Sequence, residues 1–208
     1  MNQPWRPLAL CCTITVALAS QIQVSANPRA TFPGRLVGGG TRGECSARML
    51  VHLVPRSSVF APGDPSLLGL LEGPSSQPRP LVLRFRPQTG TAPATERLLL
   101  SGGAALVLVQ GPGFPDATLW ESSYRCDDGL TAGASGDPLQ VVSTSSPPAL
   151  SLLVQDTTPD DARFQLRLQQ LRGRCGGMVS RAELISTFEL GDLLGQDWPE
   201  LLPVRCPS

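Results

Sequence analysis

A chain of 208 residues with 17 basic and 17 acidic side chains has no net charge, too little basic excess to hold nucleic acid electrostatically. Every basic side chain is an arginine, so there is no lysine to reach a nucleotide phosphate. Beyond the N-terminus no apolar run approaches the roughly 20 residues of a membrane span, and the length suits one domain or a domain with an appendage.

Residues 1–26 follow the order of a secretory signal. Arg6 is the only charge ahead of an apolar run over residues 7–19, and Val24-Ser25-Ala26 offers modest residues to a signal peptidase. Cleavage after Ala26 is expected, giving a secreted or periplasmic chain with no membrane span. Cys11 and Cys12 leave with the signal. Cys45, Cys126, Cys175 and Cys206 remain, an even set that suggests two disulfides in an oxidising compartment. Of the three possible pairings we expect Cys45 with Cys126 and Cys175 with Cys206. The second closes a loop around the C-terminal helix, and the first ties the leader to a central strand. No Cys-x-x-Cys occurs, so a metal reading is disfavoured.

Residues 27–43 contain Pro28, Pro33 and the run Gly38-Gly39-Gly40-Thr41-Arg42-Gly43, which predicts an extended, mobile leader. Without a strand before it or a lysine after it, the glycine run does not read as a phosphate loop. Residues 44–172 form the expected main domain. Residues 47–54 read as a strand containing His52, and Leu67-Leu68-Gly69-Leu70-Leu71 as a short strand or a helical turn. Residues 81–86 alternate, with Leu81, Leu83 and Phe85 against Arg84 and Arg86, the pattern of a half-buried strand. Gly102-Gly103 between apolar runs predicts a two-residue hairpin. Residues 118–126 form the next strand, with Trp120, Ser122, Tyr124 and Cys126 on one face.

Residues 139–144 and 149–155 are further strand candidates. Residues 163–169 alternate strictly, Phe164, Leu166 and Leu168 against arginines and glutamines, and are read as a strand. A helix starting at Thr158-Pro159-Asp160 is the competing reading. Residues 173–208 form a disulfide-stapled helical tail. Ser180-Arg181-Ala182-Glu183 is a capping box, Leu184, Ile185 and Phe188 make a helical stripe, and Gly191 is expected to end the helix. Seven or eight short strands separated by Gly, Pro, Ser and Asp predict a mainly β fold, an antiparallel immunoglobulin-like β-sandwich.

Assembled chemistry is sparse. His52 is the only histidine, so any Ser–His or Cys–His site must use it, and a structural strand histidine is the simpler reading. Gly-x-Ser-x-Gly and His-Glu-x-x-His are absent, and no cofactor or metal is expected. Carboxylates in loops leave room for calcium or acid–base chemistry: Asp127, Asp128 and Asp137, and Asp156 with Asp160 and Asp161. Aspartate is also an ordinary turn residue. Trp120 with Tyr124 reads as core, and Trp198 as an exposed aromatic. Asp127, Asp128 and Trp198 are therefore the candidate ligand contacts.

The Gly38–Gly43 run followed by Cys45, and the Trp120, Tyr124, Cys126 spacing, resemble a family of exported cyanobacterial proteins of unknown function. The resemblance spans residues 38–129 and implies an exported β-sandwich without catalytic residues. The expectation is a non-catalytic envelope or periplasmic protein whose partner is an envelope protein or polysaccharide. The alternatives are a carbohydrate- or calcium-binding module and a carboxylate-dependent hydrolase of envelope polysaccharide.

Overall fold

A computed structural model of the protein describes residues 28–39, 48–125 and 148–207. Their elements are α1 (Pro28–Thr31), β1 (Leu50–His52), β2 (Val59–Phe60), β3 (Leu67–Glu72), β4 (Leu81–Pro87), β5 (Thr95–Leu99), β6 (Ala105–Gln110), β7 (Thr118–Tyr124) and β8 (Ala149–Leu153), followed by α2 (Pro159–Arg172), β9 (Met178–Ser180), α3 (Arg181–Phe188) and β10 (Leu201–Arg205). The strands make two five-stranded sheets, ordered β1-β3-β6-β10-β9 and β2-β8-β7-β4-β5. Both are mixed: β10 runs parallel to β6 and β2 parallel to β8. The expectation of purely antiparallel pairing is corrected at these two places, where long connections return the chain in the same direction.

Burial follows the alternation where one face meets solvent. In β7, Thr118, Trp120, Ser122 and Tyr124 are buried and the residues between them half-buried. In β4, Leu81, Leu83 and Phe85 are buried while Arg84 and Arg86 project outward. Cross-strand ion pairs occupy that outer surface: Arg84–Glu96 at 3.0 Å, Arg86–Glu121 at 2.9 Å and Arg125–Glu96 at 3.2 Å. All six residues of β3 are buried. One face of β3 looks toward the second sheet. The other receives α2, because Gly69 leaves space that Leu168 of α2 fills. A Cβ at Gly69 would stand 2.6 Å from the Leu168 Cδ2 atom.

Residues 159–172 are helical, correcting the strand reading of 163–169. The buried side chains are Phe164, Leu168 and Leu171, a period of three to four, and Leu166 is exposed. Thr158 caps the helix in a reciprocal box with Asp161, and Pro159 occupies the first turn. The Gly102-Gly103 hairpin is also corrected. β5 pairs with β4 in one sheet and β6 with β3 in the other, so the two glycines carry the chain between sheets. In α3, Ser180 accepts from the Glu183 amide as expected, while the Glu183 carboxylate pairs with Arg174 at 2.8 Å. The helix ends at Phe188. Its C-cap is Glu189, left-handed at φ 55°, two residues before the expected end at Gly191.

Residues 28–39, expected to be part of a mobile leader, are docked as a strap. Gly38 exchanges hydrogen bonds with Leu50 on β1, the edge of the first sheet, and Leu36 bridges to Leu150 on β8, next to the edge strand of the second, so the strap touches both sheets. Phe32 packs on a small cluster of Val59, Ala61, Leu152 and Val154. Arg29 binds Asp161 at 2.6 Å and the Asp156 carbonyl at 2.7 Å. Arg35 donates to the carbonyls of Val54, Phe188 and Glu189, covering the C-terminal end of α3. Gly39, at φ 101°, lies so close to Arg48 that a Cβ would overlap its carbonyl oxygen.

The expected Cys175–Cys206 disulfide is present, with Cα atoms 5.7 Å apart, and both residues are exposed. It closes a segment that contributes β9 and β10 to the first sheet as well as the expected helix. Cys45 and Cys126 lie outside the described residues, as do the signal segment and residues 139–144. Among the described residues no helix is long and apolar enough to cross a membrane.

Candidate functional site

The one histidine sits where the two sheets face each other. His52 Nδ1 is 2.8 Å from Ser151 Oγ on β8, and Nε2 is 2.8 Å from Ser122 Oγ on β7. The ring lies flat on Trp120, with centroids 3.5 Å apart and planes within 6°. His52 is 2% exposed, and both serines are fully buried. Burial holds the imidazole well below its ordinary pKa, so it is neutral. A neutral ring has one donor and one acceptor nitrogen, so one serine accepts from it and the other donates to it. These residue types could in principle form a nucleophile and base. With both nitrogens engaged and the ring sealed under Trp120, the group is a polar pin between sheets. Ser122 was placed on the Trp120 face by alternation. Ser151 carried no sequence signal, since its partner lies 99 residues away.

A second polar cluster, missed in the sequence, closes one end of the same interior. Glu72, at the end of β3, is fully buried and accepts from Ser101 at 2.7 Å and from Arg205 at 2.8 Å. Arg48 is 3% exposed and lies 3.5 Å from Glu72. Its guanidinium also donates to the carbonyls of Gly73, Gly102 and Gly103 and to the Ser101 hydroxyl, and it stands 5.1 Å from the centre of the Tyr124 ring. Burial raises the Glu72 pKa, and Arg48, Ser101 and Arg205 oppose that rise. Burial also pushes the Tyr124 phenol far up. The arrangement satisfies Arg48 and Glu72 on several sides, as a buried ion pair requires, and fixes the glycine crossing between sheets. Arg48 and Glu72 carry no local motif, so only the fold joins them.

The other candidates are dispersed. Trp198, expected at the surface, is 3% exposed and belongs to the core. Trp120 and Tyr124 are buried, as expected. Asp127, Asp128 and Asp137 lie outside the described residues. Asp161 is fully buried and serves α2, accepting from the amides of Thr158 and Ala61 and from Arg29. Asp160 is exposed, 3.4 Å from Arg163. No group of three or more His, Cys, Asp or Glu suited to a metal ion occurs among the described residues. A shallow surface hollow of about 350 Å³ lies beside the start of α2, lined by Arg29, Pro55, Ser57, Thr158, Pro159 and Asp160. A smaller crevice of about 70 Å³ separates α2 from α3 beside Arg167, Arg174 and Thr187.

No family model matches the chain, and no curated protein or solved structure was found to be similar to it.

Proposed function

We propose that the chain is an exported, non-catalytic binding or structural protein of the cell envelope or periplasm, whose partner is an envelope protein or polysaccharide. The observation that carries this reading is the use made of the reactive residue types. The only imidazole is enclosed, with both nitrogens bonded to buried hydroxyls. The buried acidic residue of the second cluster, Glu72, is paired with two arginines. Both groups serve cohesion. The signal-like order of residues 1–26 and the Cys175–Cys206 bridge support the compartment. We read the two facing sheets as an immunoglobulin-like sandwich in their layering, with two parallel pairs as its departure from that pattern.

Burial of Trp120, Tyr124 and Trp198 weighs against a sugar-stacking module. The calcium and hydrolase alternatives rest on Asp127, Asp128 and Asp137, which lie outside the described residues, and on Asp156, Asp160 and Asp161, of which Asp161 is bound to Arg29 and Asp160 stands by Arg163; no observation on the described residues favours them. The test is a pull-down from envelope extracts with residues 27–208 as bait. Specific recovery of a protein or polymer is expected, and recovery of none would falsify the binding reading. N-terminal sequencing of the exported protein checks the compartment, with Asn27 as the expected first residue.

A further inference from the structure

The two sheets do not end together. Alternation along the pairs Gly69–Leu108, Leu106–Val204 and Leu202–Val179 puts these residues on the face of the first sheet that carries α2 and α3. Leu201, Pro203, Arg205 and Met178 therefore point the other way, toward the layer of the second sheet. Arg205 meets Glu72 and the Leu100 carbonyl there. Among the described residues Met178 and Leu201 have no such partner, and they are 49% and 55% exposed. The second sheet stops at β5, which among the described residues has β4 on one side and no strand on the other. Leu98 lies on the outer face of β5 with Glu96, and it and Leu100, just past the strand, are 49% and 82% exposed. An open strand edge thus runs beside an uncovered apolar shelf, and one more strand next to β5 would cover both.

We propose that this notch is a strand-addition site that takes an extended segment of a partner protein. The proposal rests on the binding reading above and names the class of partner. Backbone pairing along β5 would supply affinity, and alternate side chains over Met178 and Leu201 would supply selectivity. Arg97 shares the inward face of β5. Its hydrogen bond among the described residues is a long one, 3.3 Å to the Pro207 carbonyl, leaving guanidinium donors for a carboxylate. The fitting segment is therefore apolar at every second residue, with an acidic residue opposite Arg97 and no proline in the ladder. A second copy of the chain fits poorly. Two-fold pairing of β5 with β5 would push both overhanging β9–β10 shelves into the same space. A five-residue edge is also short of the roughly 1,200 Å² that a stable dimer buries, and suits a single strand.

The probe is a capped, fluorescein-labelled peptide of about ten residues, alternating valine and threonine with one central glutamate. It is titrated into the folded protein by fluorescence anisotropy and followed by amide exchange. Saturable binding is expected, with new protection confined to residues 95–100. A peptide N-methylated at alternate amides should bind at least about tenfold more weakly, as should Leu201→Asp protein with the original peptide. Arg97→Glu should reverse the preference toward a lysine-centred peptide. Circular dichroism of each variant keeps loss of binding distinct from loss of fold. The proposal is overturned by absent binding to folded wild-type protein, or by binding indifferent to N-methylation. It is equally overturned if the β5 amides that do not pair with β4 are already protected in the free protein, or if a concentration-dependent dimer forms that Leu98→Lys abolishes. Failure of the peptide leaves the envelope pull-down intact, so the two readings fall separately.

Discussion

At the scale of single residues, His52 ties proton chemistry to stability. Its folded pKa is depressed, so below the unfolded value of about 6.5 the unfolded chain binds a proton that the folded chain refuses. Stability is fully present above that pH and falls as pH drops below it, by up to about 1.4 kcal/mol per pH unit from this group. Urea unfolding at neutral and mildly acidic pH should show the slope, and His52→Gln, neutral throughout, should remove it. The Asp161 carboxylate is the second sensitive residue. Asp161→Asn leaves Arg29 facing a neutral amide and weakens the α2 cap, at an expected cost of about 3 kcal/mol in the same measurement. His52 was recognisable as a strand residue from its apolar neighbours. Its serine partners and the Arg48–Glu72 pair were not, because contacts between strands far apart in sequence leave no local pattern.

Among the elements, α2 shows how a pattern can mislead. Phe164, Leu166 and Leu168 alternate, yet Phe164, Leu168 and Leu171 also follow helical spacing, and only burial separates the two. Thr158 and Asp161 were the local signal for a helix, a cap with its reciprocal acid. β4 and β7 were readable because each turns one face to solvent or half-buried surroundings. The fit of α2 on β3 depends on the bare surface of Gly69. Gly69→Ala forces Leu168, Leu53 and Leu108 aside together, and a loss of about 1–3 kcal/mol is expected by chemical denaturation. Leu168→Ala should cost less in that background than in the wild type, since it vacates the space the new methyl needs, and a double-mutant cycle reads the coupling.

For the whole molecule, the bridge and the strap decide how the ends are held. Reducing Cys175–Cys206, which spans 31 residues, should lower stability by about 3–4 kcal/mol on the chain-entropy account, measured by denaturant unfolding with and without reductant. With that pair joined and Cys11 and Cys12 removed with the proposed signal, Cys45 and Cys126 would be left for each other. Non-reducing peptide mapping of residues 27–208, made in an oxidising compartment, should recover a Cys45–Cys126 link and no Cys45–Cys175 or Cys45–Cys206 link.

β10 occupies an interior place in its sheet, between β6 and β9, although it is made of almost the last residues of the chain. Arg29 and Arg35, near the start of the described chain, likewise find their partners 132 and 153 residues further on. A polypeptide made N-terminus first therefore has no way to finish this sheet until residues 201–205 are free. Deleting those five residues removes the slat that joins β9 to β6 and leaves β9 with no strand partner among the described residues.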